Sequence, residues 1–428
     1  MTLYLDQLHG SLADPLLDSM TFLNEITDRH PEAISFAPGR PFEGFFETDR
    51  VAEYLDVYVE HLRSERGLME DQVRSTLFQY GPTKGIVAEL IARTLANDEG
   101  LAVAPEALVV TVGAQEGMVL VLRALCADRD DVLLVSSPCY VGVTGAARLL
   151  DISTVPVPEG DPAAVVNAAR ALRAEGRHPR ALYVVPDFAN PSGVSLPTAV
   201  RRELLAAARA QGLVVIEDNP YGFFTRTGRT RPTLKALDEH RVVVHLGSFA
   251  KTCFPGARLG YVLADQEVVA PDGGVTLLAD QLAKLKSMTT VNTPALSQAV
   301  IGGLLIRHDF RLRAANAAAV AHYAAGLSTL LAELERTFPA AERAAGLGVS
   351  WNQPEGGYFT VLSVPFRADA AAVRRCAEEY GVLWTPMADF YPGGGGEQRL
   401  RLSSSSLTVA QVREGVRRLA AFIRAEVG

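Results

Sequence analysis

The sequence predicts an α/β protein in which a large, mainly parallel sheet is covered by helices and joined to a small α+β unit. Three observations carry this. Between residues 107 and 263, short aliphatic and β-branched runs alternate with helical stretches of roughly 10 to 15 residues, the pattern of βαβ units. Beyond residue 264 that alternation stops, and from about residue 344 a new mixture of strands and helices begins. The turns after the strand runs carry glycine and polar residues, and ligands in such sheets bind outside the carboxyl ends of the strands.

Composition narrows the class. The 428 residues suffice for a large domain with a smaller one attached: an N-terminal arm and part of the small domain over 1–50, a large ligand-binding domain over 51–310, and an interdomain helix with the small domain over 311–428. With 48% hydrophobic and 21% charged residues the chain reads as soluble and globular. A net charge of -8 without a basic run gives nucleic acid little electrostatic purchase. The N-terminus has no uninterrupted apolar leader and no apolar run approaches 18 residues, so no membrane is expected and the cytoplasm is the default location. Cys126, Cys139, Cys253 and Cys376 are widely spaced, which predicts free thiols, and no histidine pair or cysteine pair suggests a metal site.

In chain order, an amphipathic start leads to ISFAPGRP at 34–41, where prolines on both sides of Gly39 predict an ordered extended loop. FQYGPTKG at 78–85 sets Tyr80 before a Gly-Pro turn, and a helical pattern follows over 86–97. The strand runs are ALVVTV, DVLLV, STVPV, ALYVVP, LVVIED and VVVHLG, with a seventh apolar run at 259–264. After the first run, Gly113, Ala114 and Gln115 precede a helix expected over 116–127 and leave N–H groups free for an anion. The second run ends in SSPCY, presenting Tyr140, and the fourth leads into the Asn190-Pro191 turn. LVVIED delivers Asp218, a carboxylate costly at a buried strand end without a cationic partner, while strand alternation points Glu217 to the opposite face. Tyr221 follows. Helices are expected over 277–307, broken at Asn292-Thr293-Pro294, then over 310–338, 370–380 and 409–427. In QRLRLSS, Arg399 and Arg401 share one strand face, either as a water-facing edge pair or as a binding fork.

The stretch at 242–264, VVVHLGSFAKTCFPGARLGYVLA, holds one amine, Lys251, in a turn between two buried runs, with Ser248 and Arg258 beside it. Desolvation and neighbouring cations lower the pKa of such an amine towards its nucleophilic form, the setting a Schiff-base lysine needs, although an ordinary loop lysine is the alternative. Ser-x-x-Lys with a following arginine resembles the pyridoxal-phosphate lysine segment of the fold-type I aminotransferases, class I/II, and the other motifs stand in that family's order.

The resemblance implies a large domain with a mainly parallel seven-stranded sheet, a small α+β domain and pyridoxal 5'-phosphate as cofactor. It puts the cofactor on Lys251, its phosphate on Ser248, Arg258 and the turn of Gly113, Ala114 and Gln115, and its ring against Tyr140. Asp218 would hold the proton of the ring nitrogen, with Asn190 and Tyr221 on the 3'-oxygen. Tyr80 would reach the phosphate of a second subunit, which makes the enzyme a homodimer with shared active sites. Gly39, Arg40, Asn190 and Arg401 become substrate residues, with Phe42, Phe45 and Phe46 as pocket walls.

The implied reaction is amino transfer from an L-amino acid to a 2-oxo acid, with Lys251, Asp218 and Tyr221 as the catalytic groups. SFAPGRP, FQYGP and GSFAK are most similar to the branch of 2-aminoadipate and aromatic aminotransferases. DSMTFLNEI, SFAPGRPFEGFF and SSPCYVGVTGAARLLD resemble the arylglycine transaminases of peptide-antibiotic pathways, which make hydroxyphenylglycine, dihydroxyphenylglycine or phenylglycine. The rivals are another pyridoxal-phosphate reaction on the same fold, or a regulator built on an aminotransferase-like domain. A regulator is disfavoured by the negative charge and by the absence of a winged-helix segment ahead of the domain.

Overall fold

The computed structural model describes residues 1–14, 16, 17, 25, 27 and 29–427. The motif DSMTFLNEI, apart from Glu25, lies outside the described residues.

Each aliphatic run forms a strand: β1 Leu108–Thr111, β2 Asp131–Ser137, β3 Ser153–Pro158, β4 His178–Val184, β5 Val214–Asp218, β6 Val243–Ser248 and β7 Gly260–Leu263. They make one seven-stranded sheet in the order β1-β7-β6-β5-β4-β2-β3. All pairs are parallel except those of β7, which runs antiparallel to β1 and β6. The turn over 249–259 carries no α-helix and is too short for a parallel crossover, so β7 must return antiparallel. Alternation sends Leu133, Val135, Ile216, Val244 and Leu246 into one core, and Val132, Leu134, Leu182, Val184, Val215 and Val243 into another on the opposite face. Both faces are thus buried, as continuous apolar runs require.

Some helix bounds differ from expectation. The helix after β1 spans Gly113–Leu125 and begins three residues early, because the Glu116 carboxylate accepts the Val112 N–H at 2.6 Å and caps the turn there. Gly113, Ala114 and Gln115 are therefore its first turn. The single helix expected over 310–338 is two, Leu312–Ala315 and Ala317–Thr337. Between them Asn316 donates to the Leu312 and Thr252 carbonyls, the latter beside Lys251. Ala317–Thr337 is long and apolar enough by length and composition to cross a bilayer. One face of it packs in the core here: Tyr323 packs with Tyr358 and Phe224, and Leu330 and Leu334 enter the small-unit core.

The small unit has a four-stranded antiparallel sheet of β8 Ser350–Trp351, β9 Phe359–Ser363, β10 Thr385–Pro386 and β11 Arg399–Ser403, in the order β8-β9-β11-β10. Helices Ala370–Tyr380 and Val409–Val427 cover it around Trp384, Val412, Val416 and Phe422. The N-terminal segment joins this unit, since Ile34–Ser35 pairs with Val382–Leu383 and Phe36 is buried in the same core. Residues 37–40 are thereby carried over the carboxyl ends of the large sheet.

Candidate active site

A cavity of about 360 Å³ lies between the carboxyl ends of the large-sheet strands and the small unit. Gly39, Arg40, Ala114, Gln115, Tyr140, Asn190, Asp218, Tyr221, Ser248, Lys251, Arg258 and Arg401 all line it. Gly113 stands just behind at φ +73°, a conformation that favours glycine, and a Cβ there would fall 2.5 Å from Nη2 of Arg258, so the guanidinium would have to shift. Tyr80 does not line the cavity of its own chain and is 86% exposed.

Lys251 is placed by the turn after β6. Its Nζ donates to the Gly39 carbonyl at 2.6 Å. Burial, then the charges of Arg401 and Arg258, bring its pKa down to about 8. An amine so placed is partly neutral near physiological pH and is a competent nucleophile and base.

Asp218 ends β5 and is 5% exposed. Its Oδ2 accepts the Tyr183 hydroxyl at 2.7 Å, while Oδ1 is buried with no hydrogen-bond partner among the described residues. Burial raises its pKa to about 6. Glu217 points the other way, accepting the Leu234 and Lys235 N–H groups at 2.7 and 2.9 Å and meeting His245 Nδ1 at 3.0 Å. The alternation expected of the strand therefore sorts the two carboxylates.

Another part of the cavity lining is suited to an anion. The first-turn N–H groups of Gly113, Ala114 and Gln115 have no intrahelical carbonyl to bond, and Gly113 has φ +73°. Arg258, itself at φ +49°, brings its guanidinium against Gly113. Ser248 Oγ accepts from the Ala250 N–H at 3.2 Å, which leaves its own O–H to donate.

Arg401 occupies an interior strand of the small sheet, since β11 pairs with both β9 and β10, so the water-facing edge alternative does not hold for it. Its Nη1 donates to Asn190 Oδ1 at 2.6 Å, and its Nη2 donates to the Ala37 carbonyl at 2.8 Å and to Thr385 Oγ1 at 3.2 Å. The guanidinium lies 4.4 Å from the Phe359 ring centre and 5.2 Å from that of Phe390. Burial lowers its pKa to about 10, still high enough to keep it cationic at neutral pH. Arg399, on the same face, is exposed and donates to the Tyr391 hydroxyl at 2.5 Å. Tyr221 is buried beside Asn190, and burial pushes its pKa upward, so it remains a protonated donor.

Phe42, Phe45 and Phe46 are a correction, because none of them lines the cavity. The turn at Glu43–Phe45 directs Phe42 and Phe45 to the helix Ala317–Thr337, where Phe42 stacks on His322 at 4.4 Å and its N–H donates to the Tyr323 hydroxyl, while Phe46 is exposed. The aromatic walls are Phe359, Phe390, Tyr140 and Tyr221, with Met118 and Val185 beside them. Sequence reasoning also missed Tyr183. The signal for it was pairing rather than motif: Tyr183 registers with Ile216, on the strand face that Asp218 shares.

These residues fit pyridoxal phosphate. The unpartnered Asp218 oxygen suits a ring N–H, the helix start with Arg258 suits a phosphate, and Lys251 lines the same cavity.

Residues 60–419 match the family described as aminotransferase class I and II. The chain is 51% identical over 431 residues to the (S)-3,5-dihydroxyphenylglycine transaminase of Amycolatopsis orientalis, covering 99% of this chain and 95% of that protein. Among solved structures, an archaeal alanine:glyoxylate aminotransferase has a TM-score of 0.84 at 25% identity, covering 99% of this chain and 100% of that one. The alpha-aminoadipate aminotransferase of Thermus thermophilus, complexed with N-(5'-phosphopyridoxyl)-L-leucine, has a TM-score of 0.76 at 28% identity, covering 98% and 99%.

Proposed function

The chain belongs to the class I and II aminotransferases, pyridoxal-phosphate enzymes that move an amino group from an amino acid to a 2-oxo acid, and on that premise we propose that its acceptor is an arylglyoxylate and its product an arylglycine. The observation that carries the substrate is the 51% identity to a dihydroxyphenylglycine transaminase, which spans nearly the whole of both chains. The cavity supports it, because Phe359, Phe390 and Met118 offer an aromatic side chain apolar and ring contacts.

The chemistry that pyridoxal phosphate supplies when bound is an electron sink for the substrate α-carbon and a carrier for the amino group. In this proposal Lys251 would hold the cofactor through Nζ, and its amine would take the proton from the substrate α-carbon and return it. Asp218 accepts a hydrogen bond from the ring nitrogen. Ser248, Arg258, Gly113, Ala114 and Gln115 bind the phosphate, Tyr140 stacks on the ring, and Asn190 and Tyr221 hold the ring oxygen. Arg401 takes the substrate carboxylate, with Gly39, Asn190 and Arg40 at its side. Tyr80 completes the phosphate site of a second copy in a homodimer. The large domain spans 51–310, with 1–50 and 311–428 forming the arm and small domain. Free Cys126, Cys139, Cys253 and Cys376 favour a reducing cytoplasm, and a non-protein amino acid product favours antibiotic or other secondary metabolism.

Steady-state assays test the substrate. With 4-hydroxyphenylglyoxylate or its 3,5-dihydroxy analogue as acceptor, kcat/KM should exceed that with 2-oxoadipate or 2-oxoglutarate by about tenfold or more, a gap of about 1.4 kcal/mol. The reverse order overturns the arylglycine reading in favour of an aminoadipate-type enzyme.

A further inference from the structure

We infer that Tyr183 is a positioning residue for the reaction: its hydroxyl holds Asp218 as the anion, so that the one proton the two groups share stays on the cofactor's ring nitrogen instead of moving to the carboxylate. The inference rests on the role given to Asp218 above.

The sheet register creates this contact. Tyr183 in β4 stands opposite Ile216 in β5, and side chains two residues apart on a strand share a face, so the Tyr183 ring reaches along the sheet to Asp218. The O–H to Oδ2 distance is 2.7 Å, and the two residues are 1% and 5% exposed. Burial and the Asp218 charge both push the Tyr183 phenol well above its ordinary pKa, so Tyr183 acts as donor and never as a competing base. Oδ2 is thereby committed to the protein, and Oδ1 is left for the cavity.

The other groups facing Asp218 do not replace this bond. His245 from β6 and Lys251 from the following turn favour its charge from a distance, whereas neighbouring Glu217 opposes it. His245 is itself taken up by Glu217 at 3.0 Å. Tyr140 and Cys139 after β2, and Tyr221 after β5, are raised by burial and stay neutral. A buried carboxylate and an aromatic nitrogen of similar basicity compete for one proton, and a hydrogen bond given to the charged carboxylate tips that competition towards the anion. Without the Tyr183 hydroxyl, burial dominates and Asp218 becomes the better base.

Tyr183→Phe removes the oxygen and keeps the ring. Pyridoxal phosphate is titrated into the full-length chain from pH 6 to 9, with Kd and the absorbance of the bound cofactor as readouts, for the wild type, Tyr183→Phe, Asp218→Asn and the double variant. Loss of the donor raises the Asp218 pKa further, so the anion disappears at higher pH as pH falls. The variant should match the wild type near pH 9 and bind about threefold more weakly near pH 6.5, with the deficit growing towards a tenfold limit at lower pH. The midpoint of its pH dependence should move up by about one unit, and the effect should vanish in the Asp218→Asn background. If Asp218→Asn leaves Kd and absorbance unchanged, the role of Asp218 falls and this inference with it. If Asp218→Asn weakens binding but Tyr183→Phe matches the wild type, or weakens it equally at every pH and in both backgrounds, only the Tyr183 inference is overturned.

Discussion

Lys251 shows how burial sets chemistry at the scale of one residue. Its folded pKa of about 8 lies below the roughly 10.4 of an unfolded lysine, so between those values the unfolded chain binds more protons. Stability of the cofactor-free protein should therefore rise with pH through that window, and below pH 8 the full penalty of a buried cation is present. Lys251→Met should make the cofactor-free protein more stable at pH 7, by at most about 3 kcal/mol, with the gain shrinking towards pH 10. Chemical denaturation at the two pH values reads this, and a pH-independent difference would assign the effect to packing. The same variant should lose amino transfer altogether. Glu217 offers the contrast: Glu217→Ala strips acceptors from two buried N–H groups and should cost about 2 to 4 kcal/mol of stability, while pyridoxal-phosphate affinity stays within threefold. A larger loss of affinity would mean that the two faces of β5 are not energetically separate.

Among the elements, the loop at 37–40 is the most constrained part of the site. Its Gly39 carbonyl takes the Lys251 amine and its Ala37 carbonyl takes Arg401, so one short segment holds both cations. Gly39 has to be glycine for a steric reason, since a Cβ there would sit 2.5 Å from Cζ of the Phe359 ring. Gly39→Ala should displace the loop and lower kcat/KM about a hundredfold, the size expected for an ångström-scale misplacement of reacting groups. Cofactor affinity should change little, because no phosphate residue lies on the loop. Equal losses in kcat/KM and in affinity would show that the loop holds the cofactor as well as the substrate.

For the whole molecule, the assembly is the main expectation. Phe78 and Tyr80 are exposed on the segment before the Gly-Pro turn, and Gly81 lies close to Asn292, next to exposed Val291 and near exposed Met288 and Leu296. Apolar side chains this large at the surface are suited to a second copy. Sedimentation should give a dimer, and Tyr80→Ala should weaken pyridoxal phosphate about tenfold, roughly the loss of one hydrogen bond to a charged group. A monomer that binds the cofactor with undiminished affinity would remove Tyr80 from the site.

Local sequence specified the large sheet, the covering helices and the polar turns at the strand ends, because burial on both faces demands continuous aliphatic runs and chain reversal demands Gly, Pro and Asn. It also separated Asp218 from Glu217, since a strand has a period of two whatever surrounds it. Contacts between segments far apart in the chain arise only on folding: Tyr183 on Asp218, Arg401 on Asn190 and Ala37, and Lys251 on Gly39. The turn of Phe42 and Phe45 away from the cavity belongs with these, because Phe42 is claimed by His322 on a helix that begins some 270 residues later along the chain. Periodicity is a local property and is written in consecutive residues, whereas these pairings depend on strand register and on how the small unit docks over the sheet, which no window of sequence contains.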